Sequence, residues 1–194
     1  MDMPLDMSAD TPDEALLILF ANGDPTAARI LTVRLTPRVM AHAFRLLGNR
    51  AEAEDVTQEA MLRLWRVASE WRQGEAKVTT WLYRVVANLC TDRIRRSGRT
   101  SPLEDAAEPI DEATSPADQM QTRARSDALQ QALNQLPERQ KQAVVLRHIE
   151  ELGNPDIAEI MEISVEAVES LISRGKRALT AELKSRQQEL GYSE

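Results

Sequence analysis

Apolar residues return along this chain at spacings of three and four, and no segment alternates convincingly at period two, so the pattern predicts helices from end to end. A first short helix is predicted from Pro12 or Asp13 to Ala21, with acids in its first turn and Asn22-Gly23-Asp24-Pro25 as its stop. A second covers about 25–47, with a kink or restart at Thr36-Pro37. After it Val39, Met40, Ala43, Phe44 and Leu47 make one stripe, and Gly48-Asn49 closes the helix. A third covers about 51–70 and a fourth about 79–96. Further helices are predicted near 124–135, 137–150, 155–161 and 165–189.

Residues 98–122 break the pattern. They hold three prolines, six acids between Ser101 and Asp118, and no helical apolar period, too little to offset the entropy of ordering them. The expected fold is therefore all-α, with two small helical domains joined by a flexible acidic linker. The assigned spans are 1–97, 98–122 and 123–194.

The third helix carries two stripes. Ala53, Val56, Ala60, Leu64 and Val67 form the core side, while Asp55, Gln58, Glu59, Leu62 and Arg66 lie opposite, a polar face with a bare leucine in it. That second stripe reads either as a solvated face or as a docking surface, since single exposed leucines are ordinary. On the fourth helix Leu82, Val86, Leu89 and Cys90 take the buried side. Arg84, Asn88, Thr91 and Arg95 recur at four, three and four, aligning two cations, an amide and a hydroxyl, the mix that contacts phosphates and base edges. Trp81, Tyr83 and the loop 73–78 offer an aromatic surface for an unstacked base, or else the two rings are core aromatics. Cys90 reads as a small buried hydrophobe.

In the C-terminal part a short helix ending at Met161, a turn at Glu162-Ile163-Ser164 and a longer helix from Val165 have the spacing of a helix-turn-helix, whose second helix enters the major groove. Ser164 is a suitable N-cap. Val168, Leu171, Ile172 and Leu179 share one face of the longer helix, and Glu166, Ser170, Ser173, Arg174 and Arg177 the other.

Charge then alters the picture. The net charge of −7 argues against a polyanionic partner only as a sum. Residues 84–99 hold five bases against Asp92, and 174–186 hold five against Glu182. Enzymatic readings find no set of residues: Gly175-Lys176 lacks the upstream glycine of a phosphate loop, and His42 and His148 have no evident Asp or Cys partner. Glu138, Glu150 and Glu151 read as carboxylates on solvated helix faces. One Cys and two His are too few for a disulfide framework or a structural zinc site. No cofactor or metal is expected. Neither a membrane span nor a secretory signal is read, so the chain is expected in the cytoplasm, without membrane insertion.

The blocks Glu54-Asp55-Val56-Thr57-Gln58-Glu59-Ala60 and Thr80-Trp81-Leu82-Tyr83-Arg84-Val85-Val86-Ala87-Asn88, an acidic linker, and Leu136-Pro137-Glu138-Arg139-Gln140 leading into a helix-turn-helix together resemble the extracytoplasmic-function (ECF) sigma factors of bacterial RNA polymerase, over about 30–185. The resemblance implies a non-enzymatic initiation factor. Asp55, Gln58, Glu59, Leu62 and Arg66 would dock on the β′ clamp coiled coil of core RNA polymerase. Trp81, Arg84, Asn88, Thr91, Arg95 and Arg96 would hold the opened minus-10 element, and the helix-turn-helix would read the minus-35 element of promoter DNA near the β flap. An anti-sigma factor that covers the docking stripe and the reading helix is the expected inhibitor. Three departures stand out. Glu169 replaces a common Lys or Arg of the reading helix and either accepts from a cytosine amine or repels phosphate, and Leu171 replaces a common Arg. The usual turn glycine is missing, with Met161-Glu162 in its place; a non-glycine residue forced to positive φ costs about 1 kcal/mol, so the expectation is a slightly different or a less stable turn. The alternatives are a stand-alone helix-turn-helix transcriptional regulator and a helical adaptor that never touches DNA.

Overall fold

The computed structural model describes residues 11–72, 74, 77–97 and 116–184. The linker assignment over 98–115, loop residues 73, 75 and 76, the acidic N-terminus through residue 10, and the predicted helix end beyond 184 with its Arg186 lie outside the described residues. Within the described residues the backbone forms eight α-helices and no strand: α1 (Asp13–Ala21), α2 (Pro25–Leu47), α3 (Arg50–Val67), α4 (Val78–Ser97), α5 (Pro116–Gln135), α6 (Glu138–His148), α7 (Asn154–Met161) and α8 (Val165–Lys184), with a 3-10 turn at Ala68–Glu70 after α3.

Local chemistry places the ends. Pro25 opens α2 while the Asp24 carboxylate accepts from the Thr26 amide at 2.8 Å. Gly48, at φ 70°, closes α2 in the left-handed conformation, and Asn49 caps α3 by accepting from the Glu52 amide at 3.0 Å, so one short corner ends one helix and starts the next. The Glu14 carboxylate of α1 accepts from the Val78 amide at 2.9 Å and puts negative charge at the start of α4. Helix α2 runs through Pro37 without the predicted restart. Pro37 deprives the carbonyl of Val33 of its donor, and that residue is 68% exposed, so water can take the donor's place.

Helix α5 begins at Pro116, earlier than the helix predicted near 124, and absorbs the last residues assigned to the linker. Proline in the first turn lacks only an amide the helix leaves unpaired anyway. Residues 117–127 are rich in Ala, Gln, Met and Arg, so propensity sustains a helix that has no apolar stripe to advertise it.

Helices α1 to α4 surround one core. Leu17, Leu31, Val56, Ala60, Leu64 and Val86 are fully enclosed there, and the predicted core stripe of α3 faces inward except for half-buried Val67. In the C-terminal unit α8 lies against α6, α7 and α5. Ala143, Leu146, Ile157 and Val168 form the centre of that packing, with Leu171 and Ile172 half-buried at its edge. Gly175 is what lets α8 approach α6: a Cβ there would stand 2.6 Å from the Val144 Cγ2 and 3.2 Å from the Gln140 carbonyl. The residue that fails as part of a phosphate loop thus serves as a contact point between helices.

Gly175→Ala is expected to lower the stability of the chain by about 1–3 kcal/mol in a thermal or urea melt, despite the better helix propensity of alanine. In a chain that also carries Val144→Ala, which vacates the contacted methyl, the same replacement should cost less than it does alone.

Candidate nucleic-acid interface

The turn between α7 and α8 decides how the second helix is presented. Glu162 takes φ 53°, ψ 49°, so the turn keeps a left-handed residue although no glycine stands there, and the Ile163 amide reaches back to the Ala158 carbonyl at 3.1 Å. Ser164 accepts from the Ala167 amide at 3.2 Å and so caps α8 as its sequence position suggested. Glu166, Glu169, Ser170, Ser173, Arg174 and Arg177 all lie exposed on α8. Arg174 and Arg177 rest their Nε on the carbonyls one turn back, at 3.2 and 3.4 Å, leaving the guanidinium ends for an external partner. Glu169 accepts from the Asn154 side chain at 3.5 Å, so one end of its carboxylate is tied to α7. Its own backbone amide and the Ser164 hydroxyl hold the Glu166 carboxyl below the usual carboxylate range.

Helix α4 splits its polar line in two. Asn88, Arg95 and Arg96 are exposed, whereas Arg84 and Thr91 turn toward the C-terminal unit. Trp81 is half-buried with its ring edge-on to Trp71 at 6.1 Å. Tyr83 is 2% exposed and belongs to the core of the C-terminal unit, beside Ala143, Leu146 and Ile157. It is not an exposed platform for a base. Cys90 is equally enclosed, and burial pushes its thiol up to about 12, so it acts as a small hydrophobe.

On α3 the second stripe is exposed at Asp55, Gln58, Leu62 and Arg66, with Leu62 48% accessible, while Glu59 among them is half-buried. Asp55 is paired with Arg93 of α4 at 3.2 Å, and Glu59 with Arg63 at 2.8 Å, a bond that holds the Glu59 carboxyl below its usual range.

The sequence reading missed the seam between the units. Glu150 lies beyond the end of α6 rather than on a solvated face. It receives the Tyr83 hydroxyl at 2.5 Å and meets His42 Nδ1 at 3.3 Å. His42 is completely enclosed on α2, and its ring packs against Tyr83 with centroids 4.6 Å apart. A carboxylate only accepts, so Nδ1 carries the proton in this contact, while Nε2 meets no partner among the described residues. Burial opposes ionisation of Glu150, but the contacts with His42 and Tyr83 and the charge of Arg38 outweigh it and hold the carboxyl below its usual range. Burial, with the adjacent Glu150 carboxylate, pushes the Tyr83 phenol far above the usual tyrosine value.

Around this pair the seam is laced by further contacts. Arg84 meets Glu159 at 3.1 Å and Glu162 at 3.8 Å, and the Thr91 hydroxyl donates to Glu138 at 2.5 Å. Lys141 Nζ donates to the Leu46 carbonyl at 3.0 Å and the Gln130 amide to the Arg45 carbonyl at 3.2 Å, both in the last turn of α2, where carbonyls lack helical donors. The Asn134 side chain lies so close over Gly48 that a Cβ there would meet it at 2.6 Å. Two signals in the sequence pointed this way: a histidine on the apolar face of α2, and Glu159 on α7, a helix that holds no base. Neither names its partner, because the pairs are separated by 47 to 108 positions.

Among the described residues no three His, Cys, Asp or Glu side chains gather in a way that could hold a metal ion, and no helix is long and apolar enough to cross a membrane. Residues 31–100 match the Sigma-70 region 2 family model, and residues 126–179 match the Sigma-70 region 4 model. The ECF RNA polymerase sigma factor SigW of Bacillus subtilis is 31% identical over 84% of this chain and 91% of its own length. The chain belongs to the ECF sigma factors. Another relative of this sigma factor, the ECF RNA polymerase sigma-E factor of Haemophilus influenzae, is 31% identical over 89% of the chain and 96% of its own length. The same fold recurs in the sigma factor RpoE of Bartonella quintana, solved in complex with the anti-sigma factor NepR. It has a TM-score of 0.65 at 21% identity, covering 79% of this sigma factor and 94% of that chain. The two matches fall on the helices that carry the second stripe of α3, the polar line of α4 and the helix-turn-helix.

The pKa directions fix the pH response of the seam. Glu150, lowered in the folded chain, contributes stability that is complete above the ordinary carboxylate range and is lost as pH falls through its folded value. Tyr83, raised, contributes stability that is complete below the usual tyrosine value and is lost above it. The buried Cys90 thiol, also raised, withdraws stability above the usual thiol value, so thermal melts are expected to lose stability above about pH 8.5 and, through Glu150, below about pH 5. Glu150→Gln should flatten the acid limb, and an unchanged acid limb would remove Glu150 from this role. Glu162→Gly, which relieves the left-handed residue, should raise stability by up to about 1 kcal/mol in the same assay.

Proposed function

We propose that this initiation factor binds core RNA polymerase through the α3 stripe, holds the opened minus-10 element along α4, and reads the minus-35 element with α8. It catalyses no reaction of its own and works in the cytoplasm. Asp55, Gln58, Glu59, Leu62 and Arg66 dock on the β′ clamp coiled coil. Trp81, Arg84, Asn88, Thr91, Arg95 and Arg96 contact the melted strand. Glu166, Glu169, Ser170, Ser173, Arg174 and Arg177 face the major groove near the β flap. The domain division is the one proposed from sequence, 1–97 for polymerase and minus-10 contacts, 98–122 as an acidic linker and 123–194 for the minus-35 element, with the last linker residues, from Pro116, joined to α5.

The observation that carries this reading is the exposed polar face of α8, which begins directly behind a capped helix-turn-helix corner and ends in Arg174 and Arg177. Guanidinium groups so placed reach guanine edges or phosphates, and Glu169 beside them can accept from a cytosine amine. The cationic patches are each small, and DNA affinity follows the number of phosphates neutralised, so selectivity requires the polymerase to hold both helical units at a fixed spacing. An anti-sigma factor covering the α3 stripe and α8 is the proposed inhibitor, in keeping with the fold's occurrence beside one in the Bartonella quintana complex.

In vitro transcription with core enzyme, start-site mapping and permanganate footprinting test the reading. The free chain should not shift promoter duplex at moderate salt, whereas the holoenzyme should form permanganate-sensitive complexes. A chain that shifts a specific duplex alone is a stand-alone regulator. Arg174→Ala should cost promoter selectivity about 1–3 kcal/mol. Asp55→Ala should weaken core binding while the melting curve stays unchanged.

A further inference from the structure

Two acids stand on the polar face of α8, and only one of them is accounted for by the helix itself. Glu166 serves the start of α8, where its own amide and the Ser164 hydroxyl bond its carboxylate. Glu169 does not. It lies in the second turn, beyond the unpaired amides, and α8 offers it no base within four positions on either side. A carboxylate without a cation, on a face that approaches a polyanion, costs affinity unless the DNA presents a donor to it. In the major groove the base-edge donors are the amines of cytosine and adenine, and adenine sets an acceptor, N7, beside its amine. An ionised carboxylate only accepts, so it suits cytosine and is repelled by adenine N7.

The carboxylate is also aimed. Asn154, the first residue of α7, donates its side-chain amide to Glu169 Oε1 at 3.5 Å, which ties one carboxylate oxygen and leaves the other to turn toward the groove. The Asn154 side chain has little choice of direction. Its Oδ1 is buried with no partner among the described residues, and Pro155 restricts the backbone before it. With the oxygen turned inward the NH2 group faces outward, the orientation that gives the carboxylate a donor. A buried oxygen without a donor lowers stability. What the arrangement secures is the direction of Glu169. We propose that Asn154 is a positioning residue for promoter recognition: its amide holds Glu169 in the attitude that accepts from a cytosine amine, so that α8 demands cytosine at one position of the minus-35 element. The proposal rests on the minus-35 role proposed for α8. It adds the base that is selected and the residue that holds the selector in place.

In vitro transcription from a promoter library randomised across the minus-35 element, with core polymerase and the full-length chain, reads the base preference at every position from the transcripts. The unaltered chain should favour cytosine about tenfold over each other base at one position. Glu169→Gln should transfer that preference to adenine, since an amide pairs with both N6 and N7, and Glu169→Ala should level it while the other positions keep theirs. Asn154→Ala should cut the cytosine preference about threefold at the same position alone, and in a chain that already carries Glu169→Ala it should change nothing. Asn154→Asp keeps the size of the side chain and suits a helix start, so it should melt no lower than the unaltered chain. It sets a second carboxylate where the donor stood, and it should lower the cytosine preference at least as much as Asn154→Ala. Glu169→Gln that raises transcription from all members equally, with base preferences unchanged, would make Glu169 a repulsive group and overturn the cytosine assignment. An effect of Asn154 that spreads over all positions, persists undiminished without Glu169, or is absent from both variants would overturn the positioning role. Arg174→Ala judges the parent reading separately. If it too leaves every minus-35 preference untouched, α8 does not read the element, whereas preferences that move with Arg174 and not with Glu169 remove this inference alone.

Discussion

A carboxylate drawn out of water has to be met by donors, and Glu150 is met by donors from the other half of the molecule. The Tyr83 hydroxyl comes from α4 and the His42 ring from α2, and both helices are themselves fixed by the N-terminal core. A buried charge tolerates little displacement of its partners, since losing one leaves it unpaired in a poor solvent. The arrangement of the two units follows from this. With Glu150 seated, α6 lies over the end of α2, α7 lies along α4, and the polar face of α8 is turned outward. Tyr83 reinforces the geometry by placing its ring within the second core, so the border between the units is drawn through a side chain rather than between surfaces.

The uneven charge along the chain acquires a spatial meaning in this arrangement. The acids that make the net charge −7 are not only in the stretch 101–118; Glu138 of α6 and Glu159 of α7, with Glu150 and Glu162 just past the ends of those helices, face the more basic helix α4. Most of these pairs are partly exposed and individually weak. Their effect is on where the units sit, whereas the enclosed contacts of Glu150, Lys141 and Tyr83 provide the cohesion.

Much of the molecule was legible in its sequence because helices announce themselves locally. The stripe Ala53, Val56, Ala60 and Leu64, the stop at Gly48-Asn49 and the cap at Ser164 all rest on interactions within a few residues, and each stands where the pattern placed it. The missing turn glycine left open whether the turn would change shape or only cost more; Glu162 keeps the left-handed shape. What escaped was non-local. The early start of α5 left no apolar period. Glu150 read as solvated because nothing near it in the chain hints at His42, 108 positions away. Tyr83 illustrates the limit well: its helical position leaves open whether it faces solvent or a core, and the core it enters is built by another part of the chain. The same holds for Arg84 and Thr91, which share a line with Asn88 and Arg95 yet meet different surroundings.

The capping of α2 has a mechanical corollary. Its final carbonyls are held by Lys141 and Gln130, side chains of the opposite unit, and the next residues are Gly48 and Asn49, the second of which anchors the first turn of α3. Parting the units hands those carbonyls to water and loosens the footing on which α3 stands. The seating of α3 is thereby shared by both halves of the molecule through a single corner of backbone.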